Sequence, residues 1–125
     1  MWVSLVDIDL YLQNNPNLLP RDDVRITGVD AVPYPDRRRV KIDVTITPFR
    51  ERPNLEITIH DGEGKPIATS CAIGVMNFSV SFNLHLRGIS DPTGDYAVRV
   101  QLYYDDQQSP QDTQTVTMTV PSGES

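Results

Sequence analysis

Along most of this chain apolar and polar residues alternate one for one. Val40, Ile42, Val44 and Ile46 are separated by Lys41, Asp43 and Thr45. The same alternation runs through Leu55, Ile57 and Ile59, and through Phe78, Val80, Phe82, Leu84 and Leu86. It returns in Tyr96, Val98, Val100, Leu102 and Tyr104, and again in Val116, Met118 and Val120. Successive side chains of an extended chain point to opposite faces, so each stretch predicts one face on a core and one in water. That pattern belongs to antiparallel sheets with a solvated face rather than to parallel strands buried on both sides. Two further strands are less regular. Residues 66–74 place Ile67, Thr69, Cys71 and Ile73 on one expected inner face. Residues 24–32 start with Val24 and Ile26 inward and change phase to Val29 and Ala31. The change falls at Gly28, where the missing Cβ makes a bulge cheap.

The intervals between these strands carry turn chemistry. Pro33 to Asp36, Arg50 to Asn54, Asp61-Gly62-Glu63-Gly64, Gly88 to Gly94 and Asp105 to Asp112 are rich in Pro, Gly and Asp. Strands at this regular spacing predict an all-β sandwich or barrel. The expected organisation is an N-terminal extension over residues 1–21, a β-sandwich over 22–120 and a disordered tail over 121–125. In the extension Val6, Ile8, Leu10 and Leu12 alternate with Asp7, Asp9 and Tyr11, which suggests an eighth strand. A short helical turn capped by Ser4 is the other reading of the same stretch.

Composition narrows the function. The chain has 125 residues and a net charge of −6, so one domain with a real core is expected and non-specific nucleic-acid binding is not. A single cysteine excludes an internal disulfide framework and multi-cysteine zinc sites. Residues 1–12 lack an early basic residue and are interrupted by Asp7 and Asp9, so no signal peptide is read there. The default expectation is cytoplasmic, with an extracellular setting the alternative for a domain cut from a larger protein. No membrane partner and no cofactor are expected.

Seven alternating strands in about 100 residues resemble the immunoglobulin-like β-sandwich, in the broad sense that includes fibronectin type III domains. Tyr96 carries the resemblance best. It follows Asp91-Pro92-Thr93-Gly94-Asp95 at the start of the sixth strand, where that architecture has a tyrosine whose hydroxyl bonds back to the preceding connection. Val98 stands where antibody domains have their second disulfide cysteine, and the third strand has no tryptophan. The resemblance implies an antiparallel two-sheet fold of seven or eight strands. Among disulfide-free domains of this kind it implies adhesion, spacing or partner binding, although the architecture hosts many roles.

Candidate chemistry is sparse. No nucleophile elbow, phosphate loop or H-E-x-x-H motif occurs. Ser81 and His85 share a strand face, but four residues put them about 13 Å apart, too far for a nucleophile and its base. His60 and His85 project outward from strands that the resemblance assigns to different sheets. Asp36, Asp61, Glu63, Asp91 and Asp95 gather on loops at one pole, a composition that suits calcium but without a calcium-loop spacing. At the opposite pole Arg50 and Arg52 face Asp105 and Asp106 as a polar loop tip, or pair within the domain. Arg37, Arg38, Arg39 and Lys41 form a basic cluster that either grips an anion or neutralises the acidic loops. Trp2, Val6, Ile8, Leu10 and Leu12 concentrate apolar surface outside the seven strands, and such surface is rarely left in water. The reading that follows is a non-catalytic module for protein interaction or assembly, with a protein partner or a second copy on that segment. The alternative is a calcium- or small-ligand-binding domain acting through the acidic pole.

Overall fold

The computed structural model describes residues 18–122. A single 3-10 turn, Arg21–Asp23, leads into seven strands: β1 (Ile26–Pro33), β2 (Arg39–Ile46), β3 (Asn54–His60), β4 (Pro66–Ala72), β5 (Ser79–His85), β6 (Gly94–Tyr103) and β7 (Asp112–Val120). The seven strands pair antiparallel with one another, in a three-stranded sheet β1-β2-β5 and a four-stranded sheet β4-β3-β6-β7. The alternating residues behave as their spacing requires. Val40, Ile42, Val44, Leu55, Ile57, Ile59, Val98, Val100 and Leu102 are fully buried between the sheets. Each such side chain contributes about 1.5–3 kcal/mol on leaving water, so the interior of this two-layer sandwich is its main support.

The expected phase change in β1 is present. Ile26 pairs with Ile46 and Gly28 with Thr45, a bulge between them. A Cβ on Gly28 would lie 2.7 Å from Thr45 Oγ1, so the approach itself requires glycine. Downstream of the bulge Val29 and Ala31 turn toward the core.

β4 corrects the sequence reading. Cys71 is exposed, not inside. The β3–β4 ladder pairs Ile59 with Ala68 but His60 with Pro66, so Ile67 is an extra residue and the phase changes after it. Ala68, Ser70 and Ala72 therefore oppose Ile59, Ile57 and Leu55, while Cys71 pairs with Glu56 on the outer face. Ile67 is half-buried and Ile73 is 71% exposed.

The connections divide between two poles. The upper pole holds β1–β2, β3–β4 and β5–β6. The lower pole holds β2–β3, β4–β5, β6–β7 and the lead-in to β1. Leu18 is buried there, and Leu19 bridges Phe49 in parallel with backbone bonds Leu19 N to Pro48 O and Arg50 N to Leu19 O. The last part of the extension is thus built into the lower pole. The eighth strand expected over residues 6–12, the apolar residues Trp2 to Leu12 and residues 123–125 of the tail lie outside the described residues.

Candidate functional site

The upper pole is assembled around Tyr96. Its hydroxyl donates to the Pro92 carbonyl at 2.7 Å, the corner bond that the sequence suggested. Burial raises the phenol's pKa, with Asp61 and Asp91 adding to the effect. Beside it lies an open cleft of about 400 Å³ bordered by Asp61, Glu63, Asp91, Asp95 and Tyr96. Of the carboxylates around this cleft Asp61 and Asp91 are committed to their own turns and Asp95 to Thr119 of β7, while Glu63 is exposed. Asp61 Oδ1 accepts from the Lys65 and Glu63 amides at 2.9 Å each, and these bonds hold it below the usual carboxylate range. Asp91 accepts from the Thr93 amide at 3.1 Å and is lowered in the same way. Asp36 accepts from the Arg38 and Arg39 amides and from Arg39 Nε, again with a lowered pKa. Asp95 accepts from the Thr119 hydroxyl at 2.6 Å. Among the described residues no three His, Cys, Asp or Glu side chains group as a metal centre.

The basic cluster is likewise turned onto the fold. Arg38 donates to the Ile89 and Ser90 carbonyls, and Arg37 to Thr93 Oγ1 at 2.9 Å, 3.8 Å from the Asp91 carboxylate. Arg39 pairs with Asp36 at 2.7 Å and lies over the Tyr34 ring. Together they tie the β1–β2 connection to the β5–β6 connection. Arg37 has a φ of +59°, a strained conformation for a residue with a Cβ, held by these contacts. Lys41 stands 3.9 Å from Asp43.

At the lower pole the opposite charges do pair, but through a cation that the sequence did not single out. Arg21, from the lead-in turn, bonds Asp105 at 2.9 Å, lies 3.3 Å from Glu51 and sits over the Tyr104 ring. Tyr104 donates to the Glu51 carbonyl, and burial pushes its pKa up to about 12. Arg50 Nε donates to the Leu18 carbonyl, and Asp106 accepts from the Gln108 amide. Arg52 lies half-buried in the same connection as Arg50. The β4–β5 connection beside them is apolar and open. Ile73 is 71%, Met76 62% and Phe78 38% exposed, and the Phe78 ring meets buried Phe49 edge to face at 4.9 Å. Periodicity placed Ile73 and Phe78 inside; the structure puts both on the irregular β4–β5 connection, outside the paired strands, and Met76 carried no signal at all.

His60 and His85 stand in different sheets, on β3 and β5. The Ser81 hydroxyl donates to Asp43 across the β2–β5 pair. The two lateral seams of the sandwich differ. Where β1 faces β7, Ile26 N donates to Asp112 Oδ2 at 2.8 Å, Gln114 Nε2 donates to Ile26 O at 2.7 Å and Gln111 Nε2 donates to Val24 O at 2.8 Å. Where β4 faces β5, a groove of about 290 Å³ remains, lined by Ile67, Ala68, Ser70, Leu84, His85 and Arg87 among others.

Comparison with known proteins finds the same architecture inside larger chains. No family model matches the sequence, and no curated protein sequence does. A β-glucuronidase from Bifidobacterium dentium, solved with coumarin-3-O-glucuronide, superposes with a TM-score of 0.62 over 79% of this chain at 18% identity. A glycosyl hydrolase family 2 member from Bacteroides cellulosilyticus does so with a TM-score of 0.64 over 78% of this chain at 14% identity. The chain spans 18% and 15% of those two proteins, so the likeness is one of fold and is confined to a minor part of each.

Proposed function

We propose that this chain is a non-catalytic accessory β-sandwich that works by surface contact, and that its contact surface is the lower pole. The observation that carries this reading is the contrast between the chain's polar and apolar exposed groups. The loop carboxylates Asp36, Asp61, Asp91 and Asp105, and the guanidinium groups of Arg21, Arg37, Arg38 and Arg39, hold the fold's own turns. Ile73 and Met76, in contrast, stand mostly in water. Side chains of that kind are the usual centre of a contact surface when grouped.

Its fold neighbours are glycosidases, whose chemistry in general sets two carboxyl groups roughly 5–9.5 Å apart, one of them with a raised pKa to act as acid. Asp61 and Asp91, which border the upper cleft, are shifted the opposite way. The same internal bonds count against the acidic pole as a calcium site, because oxygen ligands engaged by backbone amides have fewer lone pairs to offer.

Two measurements test the proposal. Light scattering of the full chain over a concentration series should show association that the Ile73→Ser/Met76→Ser variant loses while keeping its melting temperature. A chain that stays monomeric throughout contradicts self-assembly through this pole. Incubation with chromogenic β-glucuronide and β-galactoside should give no turnover, and turnover abolished by Asp91→Asn would overturn the non-catalytic reading.

A further inference from the structure

We propose that the cleft at the upper end of the open β4/β5 seam binds a small organic acid carrying one carboxylate, gripped by Arg87 and Lys65. The inference does not depend on the contact surface proposed at the lower pole.

Four observations carry it. First, these two cations are unused by the fold. Arg21, Arg37, Arg39 and Lys41 stand against carboxylates, and Arg25, Arg38 and Arg50 donate to backbone carbonyls. Among the described residues the Arg87 guanidinium and the Lys65 ammonium make no hydrogen bond and no ion pair. On a chain of net charge −6, two such groups beside one cleft reverse the sign of the local field.

Second, both border one cavity. Lys65, Pro66, Ile67, Arg87 and Ile89 line a cleft of about 510 Å³, and Asp61 borders it as well. Arg87 and Ile67 also line the groove of about 290 Å³ along the seam, so a ligand held at Arg87 has room for a longer body.

Third, the backbone under each cation is fixed while its charged end is free. Lys65 N donates to Asp61 Oδ1 and Lys65 O accepts from Asp61 N, each at 2.9 Å, across a turn in which Gly64 takes a φ of +84°. Arg87 follows buried Leu86, whose amide donates to Arg38 O at 2.8 Å. It precedes Gly88, where a φ of +75° turns the chain away from β5. The Arg38 guanidinium then holds the Ile89 and Ser90 carbonyls. Anchored backbone of this kind reduces the ordering that binding has to impose.

Fourth, charge and lining set the ligand class. Two cations, Lys65 and Arg87, against one carboxylate, Asp61, leave the cleft with a net charge of +1. One carboxylate neutralises it, and the paired N–H groups of a guanidinium match its two oxygens. A second carboxylate, or a phosphate dianion, would bring uncompensated charge up to Asp61. Pro66, Ile67 and Ile89 suit an apolar body. In the adjoining groove Thr69, Ser70 and Asn83 offer hydrogen bonds to polar groups on a longer one. Asn83 Oδ1 already accepts from the Tyr34 hydroxyl at 2.7 Å, which leaves its N–H donors for that purpose.

The test is a nuclear magnetic resonance titration of the full chain. N-acetylvaline is the acid, its uncharged carboxamide the control, and succinate and inorganic phosphate the more highly charged competitors. The acid should move the backbone resonances of residues 65–67 and 87–90 saturably, and the carboxamide should not. Arg87→Gln should weaken binding of the acid at least ~10-fold and Lys65→Gln ~3-fold. Both variants should keep their melting temperature, because the two side chains are exposed. Arg87→Lys, which keeps the charge and loses the fork, should fall between the native chain and Arg87→Gln. No saturable shift, equal shifts from acid and carboxamide, shifts confined to the lower pole, or an affinity unchanged by Arg87→Gln would overturn the site. Succinate or phosphate binding ~10-fold more tightly than N-acetylvaline would overturn the assignment to a single carboxylate.

Discussion

The two lateral seams of this sandwich are made from strands of similar length and close differently. On the β1/β7 side, long polar side chains cross from one sheet to the backbone of the other. Asp112 and Gln114 of β7 take the donor and the acceptor of Ile26, and Gln111 takes the Val24 carbonyl. On the β4/β5 side the inward residues of β4 are Ala68, Ser70 and Ala72, too short to cross, and a groove is left. A sandwich needs its core filled and its buried backbone groups bonded, but it does not need both sides sealed by the same means. The sealed side fixes how the sheets sit on each other. The unsealed side leaves a groove that an incoming group can enter without displacing an existing bond.

The largest way to disturb this arrangement acts where the lead-in segment meets the base of β5. Phe49→Ala removes a fully buried ring that packs edge to face on Phe78, and chemical denaturation should show a loss of about 3–5 kcal/mol. Next comes the sealed seam. Asp112→Ala leaves the Ile26 amide without its partner and should cost about 1–3 kcal/mol, whereas Thr69→Ala on the open side should change stability by no more than about 0.5 kcal/mol. Equal costs for the two substitutions would abolish the distinction between the seams.

Acid should separate the poles rather than the seams. Asp36, Asp61 and Asp91 of the upper pole have folded-state pKa values lowered chiefly by backbone amides. Their stabilisation is therefore present above the unfolded value of about 4 and is lost as the pH falls through the folded values. Melting temperature should drop by a few degrees as the pH falls below about 4, and the Asp61→Ala variant should show a smaller drop. The smallest effect belongs to Cys71→Ser, which should alter stability by less than about 0.5 kcal/mol because the thiol stands on the outer face of an edge strand.

Alternation made most of this fold legible. Where a strand is uninterrupted, as in β2, β3, β5 and β6, parity identified most of the buried residues, with Thr58 and Tyr103 buried against it. Where β1 is bulged, Gly28 marked the point. β4 is bulged as well, at Ile67, but a β-branched residue gives no such mark, and the parity assigned to Cys71 was inverted as a result. The tyrosine corner was readable because its donor and acceptor lie four residues apart in one connection. Arg21 was not, because its partners Glu51 and Asp105 are brought to it by strands far along the sequence. The exposure of Met76 and Phe78 depends on how one irregular connection crosses the lower pole, and no local pattern encodes that. The grouping of acidic residues at the upper pole was legible, and their use in holding turns follows from the ordinary behaviour of aspartate beside glycine and proline.

The account depends most on how β4 is turned, because small residues inside β4 leave its seam open and put Cys71 outside. The direct measurement is the rate at which a small aromatic disulfide reagent labels Cys71 in the native full chain and in the same chain unfolded. Native labelling within about 10-fold of the unfolded rate is the predicted result. Native labelling slowed by roughly 10³-fold or more, as for a thiol released only by global unfolding, would put Cys71 in the core and contradict the arrangement of both β4 and its seam.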